Sequence, residues 1–248
     1  MLKLAPPFAL LSACLVLAAG PAFPADQASN GHRRPVVVEL FTSQGCAACT
    51  KANALVADLA DRKDVLALTF PVDYWDYLGW KDTFARPEFA ARQRAYMKAA
   101  GEREVYTPEV VVDGAPPADK SAVDKTPELI KAALKAAPRE PRMRLRRGRV
   151  TVGSGPAPRG GADVWLVRYQ PQPQQTEVKE GENRGVTVVY RNVAVSLQRL
   201  GSWSGRSRVY AIPKAPADAR AAGKAGDLKL AVLLQARASG HILGALKP

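Results

Sequence analysis

Cys46 and Cys49, with Ala47 and Ala48 between them, are the residues of this chain whose type and spacing carry chemistry most directly. A Cys-x-x-Cys pair has three readings: half of a zinc site, a structural disulfide, or a redox pair in which one thiolate attacks a disulfide and the other resolves the mixed intermediate. Zinc needs two further ligands. No second pair of this kind exists, and the two histidines, His32 and His241, stand near opposite ends of the chain. As a staple, the pair closes a very short loop and removes little chain entropy. Reduced, the two thiolates are also soft enough to carry Cu(I), although no Met or His cluster accompanies them.

The elements around the pair decide among these readings. Val36 to Phe41 is a β-branched apolar run long enough for a buried strand, and Thr42-Ser43-Gln44-Gly45 turns the chain directly into Cys46. From Ala47 to Arg62 apolar residues recur at helical spacing, and Val65 to Val72 is a second apolar run. The order strand, cysteines, helix, strand is a βαβ unit with a parallel pair. A thiolate in the first turn of that helix faces unpaired backbone N–H groups and the positive end of the helix dipole, which lowers its pKa. Cys46 is thus expected to be the exposed nucleophile and Cys49, one turn deeper, the resolving thiol. Glu39 lies inside the first strand, where a carboxylate is costly. It is read either as a buried proton acceptor for Cys49 or as a strand-end residue facing solvent.

An aromatic link follows from Asp73 to Asp82, containing Tyr74, Trp75, Tyr77 and Trp80. Trp75 and Trp80 are candidates for a recognition surface beside the pair, with a packed joint between two domains as the alternative. Pro87 to Ala100 reads as a helix capped by Gly101, Val105 to Gly114 as an extended segment ending in an Asp-Gly turn, and Pro127 to Ala137 as a last helix with Thr126 as its N-cap. After residue 140 short alternating runs separated by Gly, Pro and Gln predict an antiparallel β region. There, Glu180, Glu182, Asn183 and Asn192 read as a polar cluster around a hairpin, with turn-forming asparagines.

The chain has 248 residues with 36 Lys+Arg, 23 Asp+Glu and three cysteines, which excludes a disordered tail protein, a dense disulfide scaffold and a cluster of zinc sites. Its net charge of +13 is not evenly spread: through Pro138 there are 16 basic and 16 acidic residues, and from Arg139 onward 20 and 7. This break predicts a boundary between a neutral domain over 35–138 and a basic antiparallel β domain over 139–248. Residues 1–25 have the layout of a cleaved secretory leader, which predicts a periplasmic or secreted protein with no membrane helix in its mature form. Leu11-Ser12-Ala13-Cys14 resembles a lipobox, but the apolar run continues past Cys14 where a lipobox would close it. Export makes nucleic acid an improbable counterpart for the basic region and an anionic envelope surface the expected one, unless the charges only keep the surface soluble.

Joined to Thr107-Pro108 before a later strand, the strand, Cys-x-x-Cys and helix resemble the thioredoxin superfamily. That resemblance implies a cis Thr107-Pro108 bond packed beside the cysteines and offering its backbone to a substrate chain. The sequence is closer still to a secreted bacterial family known as DUF1223. FTSQGCAACT, VDYWDYLGWKDTFARPEFAARQRAYMKAAG and VYTPEVVVDG match its FTSQGCxxC, VDYWDYLGWKDxFxxPEFxxRQxxY and VYTPxxVVDG motifs, and GENRG, YRNV and QRLGSW resemble its carboxyl-terminal half. The resemblance covers nearly all of the expected mature chain and supplies no activity. The expected fold is α/β, a thioredoxin-like domain with a central mixed sheet flanked by helices, followed by an antiparallel β domain. One departure stands out: Ala115 to Lys120 is a poor match to the usual outer strand. The leading expectation is thiol–disulfide exchange on a protein substrate, with no dissociable cofactor. The alternatives are a Cu(I) carrier and a binding module with a structural Cys46–Cys49 disulfide.

Overall fold

A computed structural model describes residues 34–115, 122–136, 141–217, 219 and 228–247. The expected leader, Cys14 and His32 lie outside them. Strands β1 (Val36–Thr42) and β2 (Val65–Pro71) pair in parallel and are buried at every position, as continuous apolar runs covered on both faces should be. Between them a 3-10 turn, Ala47–Cys49, leads into helix α1 (Thr50–Leu59), which buries Ala52, Val56 and Leu59 at helical spacing. Helix α2 (Pro87–Ala100) has Pro87 in its first turn and ends at Gly101, whose φ of 74° closes the helix. The extended segment after it contributes only β3 (Glu109–Val112), antiparallel to β1.

Helix α3 (Ala122–Ala136) corrects an expected boundary. It begins before Thr126, so Pro127 lies inside the helix and Thr126 is not its cap. Pro127 forfeits only one backbone bond, the one its N–H would have given to the preceding turn.

The rest of the described chain is β structure: β4 (Met143–Arg146), β5 (Arg149–Val152), β6 (Ala162–Gln170), β7 (Gln174–Glu177), β8 (Thr187–Tyr190), β9 (Val193–Trp203), β10 (Arg208–Ala211), β11 (Lys229–Ala236) and β12 (Ile242–Leu246). β12 has only a weak strand signal in the sequence. Its Gly244 carries no side chain to continue the apolar alternation.

A seven-stranded mixed sheet in the order β12-β11-β6-β9-β2-β1-β3 carries the fold, with two smaller antiparallel sheets, β10-β5-β4 and β7-β8. Strands from both sides of residue 139 thus share one sheet, and Arg33–Pro248 forms one compact unit. The charge break does not coincide with a break in the fold. The seam is narrow: β2 and β9 pair in parallel only at Thr69 and Val193. Side chains extend it. Asn192, at φ 50°, donates from Nδ2 to the Ala67 carbonyl (2.8 Å), and the Thr69 hydroxyl donates to the Arg191 carbonyl (2.7 Å). The asparagine is a turn residue, as expected, and also a splice between strands.

Alternation along β1 sorts the core. Val36, Val38 and Leu40 pack with α1 and Ile130 of α3, while Val37 and Phe41 pack with Phe89 and Tyr96 of α2 and with β6 and β11 residues. Among the described residues β3 is the last strand on its side, with only a bridge between Val112 and Ala115 around the Asp113-Gly114 turn beyond it. Gly114 is required there. At φ 74°, a Cβ on it would stand 2.1 Å from the Gly240 carbonyl oxygen, a backbone atom that cannot swing aside.

Candidate functional site

The cysteine pair stands at the carboxyl ends of β1 and β2, where parallel strands leave a crevice for ligands. Cys46 is extended (φ −98°, ψ 105°) and caps the 3-10 turn, and the Cys49 N–H donates to its carbonyl (3.1 Å). The sulfurs are joined, with S–S 2.15 Å and Cα–Cα 5.4 Å. Ala47 and Ala48 are exposed. The expectation of an exposed Cys46 is not met in this state: Cys46 is 2% exposed and Cys49 0%. A partner reaches Cys46 only if the segments around it yield.

The turn carrying Cys46 is held from three directions, through Gln44. Its backbone N–H donates to Asp82 Oδ2 (2.7 Å), its carbonyl accepts from Asn183 Nδ2 (2.7 Å), and its side-chain oxygen accepts from Trp80 Nε1 (2.9 Å). Its amide also donates to the Thr83 hydroxyl (3.0 Å). Asp82 caps the segment that follows it, accepting from the Phe84 and Ala85 N–H groups (2.9 and 3.1 Å). Burial pushes the Asp82 carboxyl up to about 6, against the pull of these backbone donors.

Trp80 therefore serves as the packed joint, against the cluster of Val178, Tyr190 and Val193. Trp75 differs. It packs on the core beside Gly45, and its buried indole N–H has no hydrogen-bond acceptor among the described residues. Gln44 carries no signal in the sequence, being a single polar residue in a turn, while Asn183, read there as part of a polar hairpin cluster, holds the Gln44 carbonyl instead.

The Thr107-Pro108 bond is cis. Phe41 pairs with Glu109, so the next step of the register sets Pro108 alongside Thr42, at the same end of the sheet as the cysteines. Gln93 of α2 braces this segment: it is fully buried and donates to the Tyr106 carbonyl (2.7 Å) and Glu109 Oε2 (2.6 Å), while its oxygen accepts from the Tyr74 hydroxyl (3.2 Å). Burial pushes the Tyr74 phenol up to about 12 and the Glu109 carboxyl up to about 7.

The Glu109 shift has a thermodynamic consequence. A carboxyl whose folded pKa lies above its unfolded value of 4.5 contributes stability that is whole below pH 4.5 and is lost as pH rises through about 7. Urea unfolding of the native chain should show stability falling across this window, by about 3 kcal/mol at most from this group. Glu109→Gln, which keeps an acceptor for Gln93, should remove that part of the slope. An unchanged slope would mean the pH dependence arises elsewhere.

Glu39 corrects both sequence readings. It is buried, not solvent-facing, and it lies on the α2 side of β1 while the cysteines begin α1 on the other. Its carboxylate is paired with Arg92 (Nε to Oε1 2.6 Å, Nη2 to Oε2 3.0 Å) and accepts from the Tyr96 hydroxyl. With both oxygens engaged there, it is not placed to take a proton from Cys49. Arg92 and Tyr96 line a cleft of about 440 Å³ between α2 and the β6-β9-β11 face, which neither Glu39 nor the cysteines line. No group of three or more His, Cys, Asp or Glu suited to a metal ion occurs among the described residues.

Fold and site together define a mixed α/β protein in which one long sheet carries a Cys-x-x-Cys disulfide where a parallel strand turns into a helix. The profile of the family described as "Protein of unknown function (DUF1223)" matches residues 37–235, and the chain belongs to that family. The crystal structure of protein AGR_C_4864 from Agrobacterium tumefaciens is similar at 31% identity and a TM-score of 0.66, covering 85% of this chain and 92% of that one. HBP35 of Porphyromonas gingivalis matches in fold alone, at 13% identity and a TM-score of 0.56, covering 87% of this chain and 75% of that one. No curated protein matches the chain.

Proposed function

We propose that this protein exchanges disulfides with protein thiols through Cys46 and Cys49, on a thioredoxin-like portion of its sheet, after export from the cytoplasm. The observation that carries the reading is the Cys46–Cys49 disulfide at the helix start, at the sheet end that also holds the cis Thr107-Pro108 bond. In the reducing direction the Cys46 thiolate attacks one sulfur of a substrate disulfide, and the other sulfur leaves as a thiolate. Cys49 then attacks the Cys46 sulfur, forms the internal disulfide and expels the second substrate thiolate. Two electrons pass to the substrate, which takes up two protons; the reverse sequence oxidises a dithiol. The segment at Thr107-Pro108 offers backbone contacts for an extended substrate.

Burial of both sulfurs favours a second reading, a structural disulfide. The two diverge under test. For exchange, the reduced protein should show a Cys46 pKa below the roughly 8.5 of a free thiol, read by alkylation across pH in glutathione buffers, and Cys49→Ser should accumulate a mixed disulfide with a peptide disulfide. For a staple, Cys49→Ser captures nothing, and reduction only lowers stability, by about 2 kcal/mol for so short a loop.

A further inference from the structure

The β10-β5-β4 sheet packs one face on the long sheet, through Val150, Val152 and Tyr210. Its register fixes what the other face presents. Arg144, Thr151 and Val209 form one cross-strand row, and Arg146, Arg149 and Ala211 the next. Arg144, Arg146, Arg147 and Arg149 are all exposed, and none of their guanidinium groups has an ion-pair or hydrogen-bond partner among the described residues. Val209 is 54% exposed within the same face.

Two features of this hairpin run against its own stability. Arg146 and Arg149 are direct cross-strand partners, with side chains starting about 5 Å apart, where like charges repel. Arg147 and Gly148, at φ 47° and 70°, form the two-residue turn, whose first position favours Asn or Gly and is left-handed, a conformation that long side chains rarely adopt. Three guanidinium groups thus crowd one hairpin end where strand pairing and turn geometry both favour other residues. Such unrelieved local cost is a signature of function, and an anion on this face would remove the repulsion. Guanidinium groups suit phosphate by paired N–H donors. The face holds no exposed aromatic ring on which a base could stack, and an exposed valine among arginines fits the boundary between headgroups and acyl chains.

We propose that this face docks on an anionic phospholipid surface, with Arg144, Arg146, Arg147 and Arg149 on headgroup phosphates and Val209 toward the acyl boundary. The docking is independent of the cysteine chemistry. Sedimentation of the full chain with phosphatidylcholine vesicles, with and without phosphatidylglycerol, tests it. Comparing variants cancels any binding by the apolar amino-terminal stretch. The native chain should partition to the anionic vesicles in a salt-sensitive way, more weakly by about fivefold for each arginine removed. Arg146→Thr with Arg149→Thr should therefore lose about 25-fold, while Arg146→Lys with Arg149→Lys should stay within a few-fold of native. Arg147→Asn should bind more weakly yet melt at a higher temperature, because asparagine fits the turn. Equal partition to neutral vesicles, or anionic binding that survives the threonine changes, overturns the proposal. So does duplex DNA or polyglutamate bound more tightly than vesicles and lost with the same arginines, which would reassign the face to another polyanion.

Discussion

Arg92→Met is expected to lower the unfolding free energy by about 3–5 kcal/mol, measured by urea denaturation with the midpoint and slope compared to the native chain. Methionine fills much of the volume, so the loss is electrostatic. Glu39, fully buried, would keep only the Tyr96 hydroxyl as partner after losing both guanidinium bonds. The guanidinium also lies 5.1 Å from the Tyr96 ring centre and 5.8 Å from those of Phe70 and Trp165, contacts that methionine replaces with dispersion alone. The double variant Glu39→Gln with Arg92→Met should recover most of the loss, since glutamine still accepts from Tyr96 and no charge is stranded. A double variant as unstable as the single one would show that packing, not the stranded charge, sets the cost. The site should also respond. The neighbouring residue on α2, Gln93, braces Tyr106 and Glu109 around Pro108, so loosening the helix loosens the cis-proline segment.

Asp82→Ala should cost about 3 kcal/mol at pH 5, because the Gln44, Phe84 and Ala85 N–H groups lose their acceptor together. The cost should be smaller at pH 8. Burial raises the folded pKa of Asp82 from 3.8 to about 6, so its favourable contribution is complete below pH 3.8 and declines as pH rises through 6. Asp82→Asn is not conservative here. One carboxylate oxygen faces two N–H donors and the other faces the Gln44 N–H and the Tyr190 hydroxyl, so an amide must turn its NH2 toward one donor set. The functional readout is alkylation of reduced Cys46. If Asp82 restrains the turn, freeing it by 1.4 kcal/mol raises the open population, and with it the alkylation rate, about tenfold. An unchanged rate would mean that access to Cys46 is set elsewhere, with Trp75 beside Gly45 the next residue to change.

These two sites show how differently the sequence treats neighbours. Glu39 was conspicuous as a carboxylate in an apolar strand, yet its partner lies 53 residues away on a helix whose pattern says nothing of which strand it covers. Trp80 was conspicuous as an aromatic near the cysteines. Its role followed from one hydrogen bond to Gln44, a residue without any distinguishing pattern.

Local physical chemistry was legible at most elements, the start of α3 excepted. The β-branched run of β1, the cysteines at the following turn, α2 between Pro87 and Gly101, the proline before β3 and the alternating basic strand at β4 all rest on interactions within a few residues, which sequence spacing encodes directly. What only the tertiary structure decided depends on contacts between distant segments. The two halves share one sheet through a single β2–β9 ladder pair, reinforced by Asn192 and Thr69. The disulfide is buried, and the turn that leads into it is held by Asp82, Trp80 and Asn183. Glu39 faces away from the cysteines because strand alternation assigns it to the α2 side. Each of these is a choice of face or partner, and a one-dimensional pattern fixes the period of a strand without fixing what lies across from it.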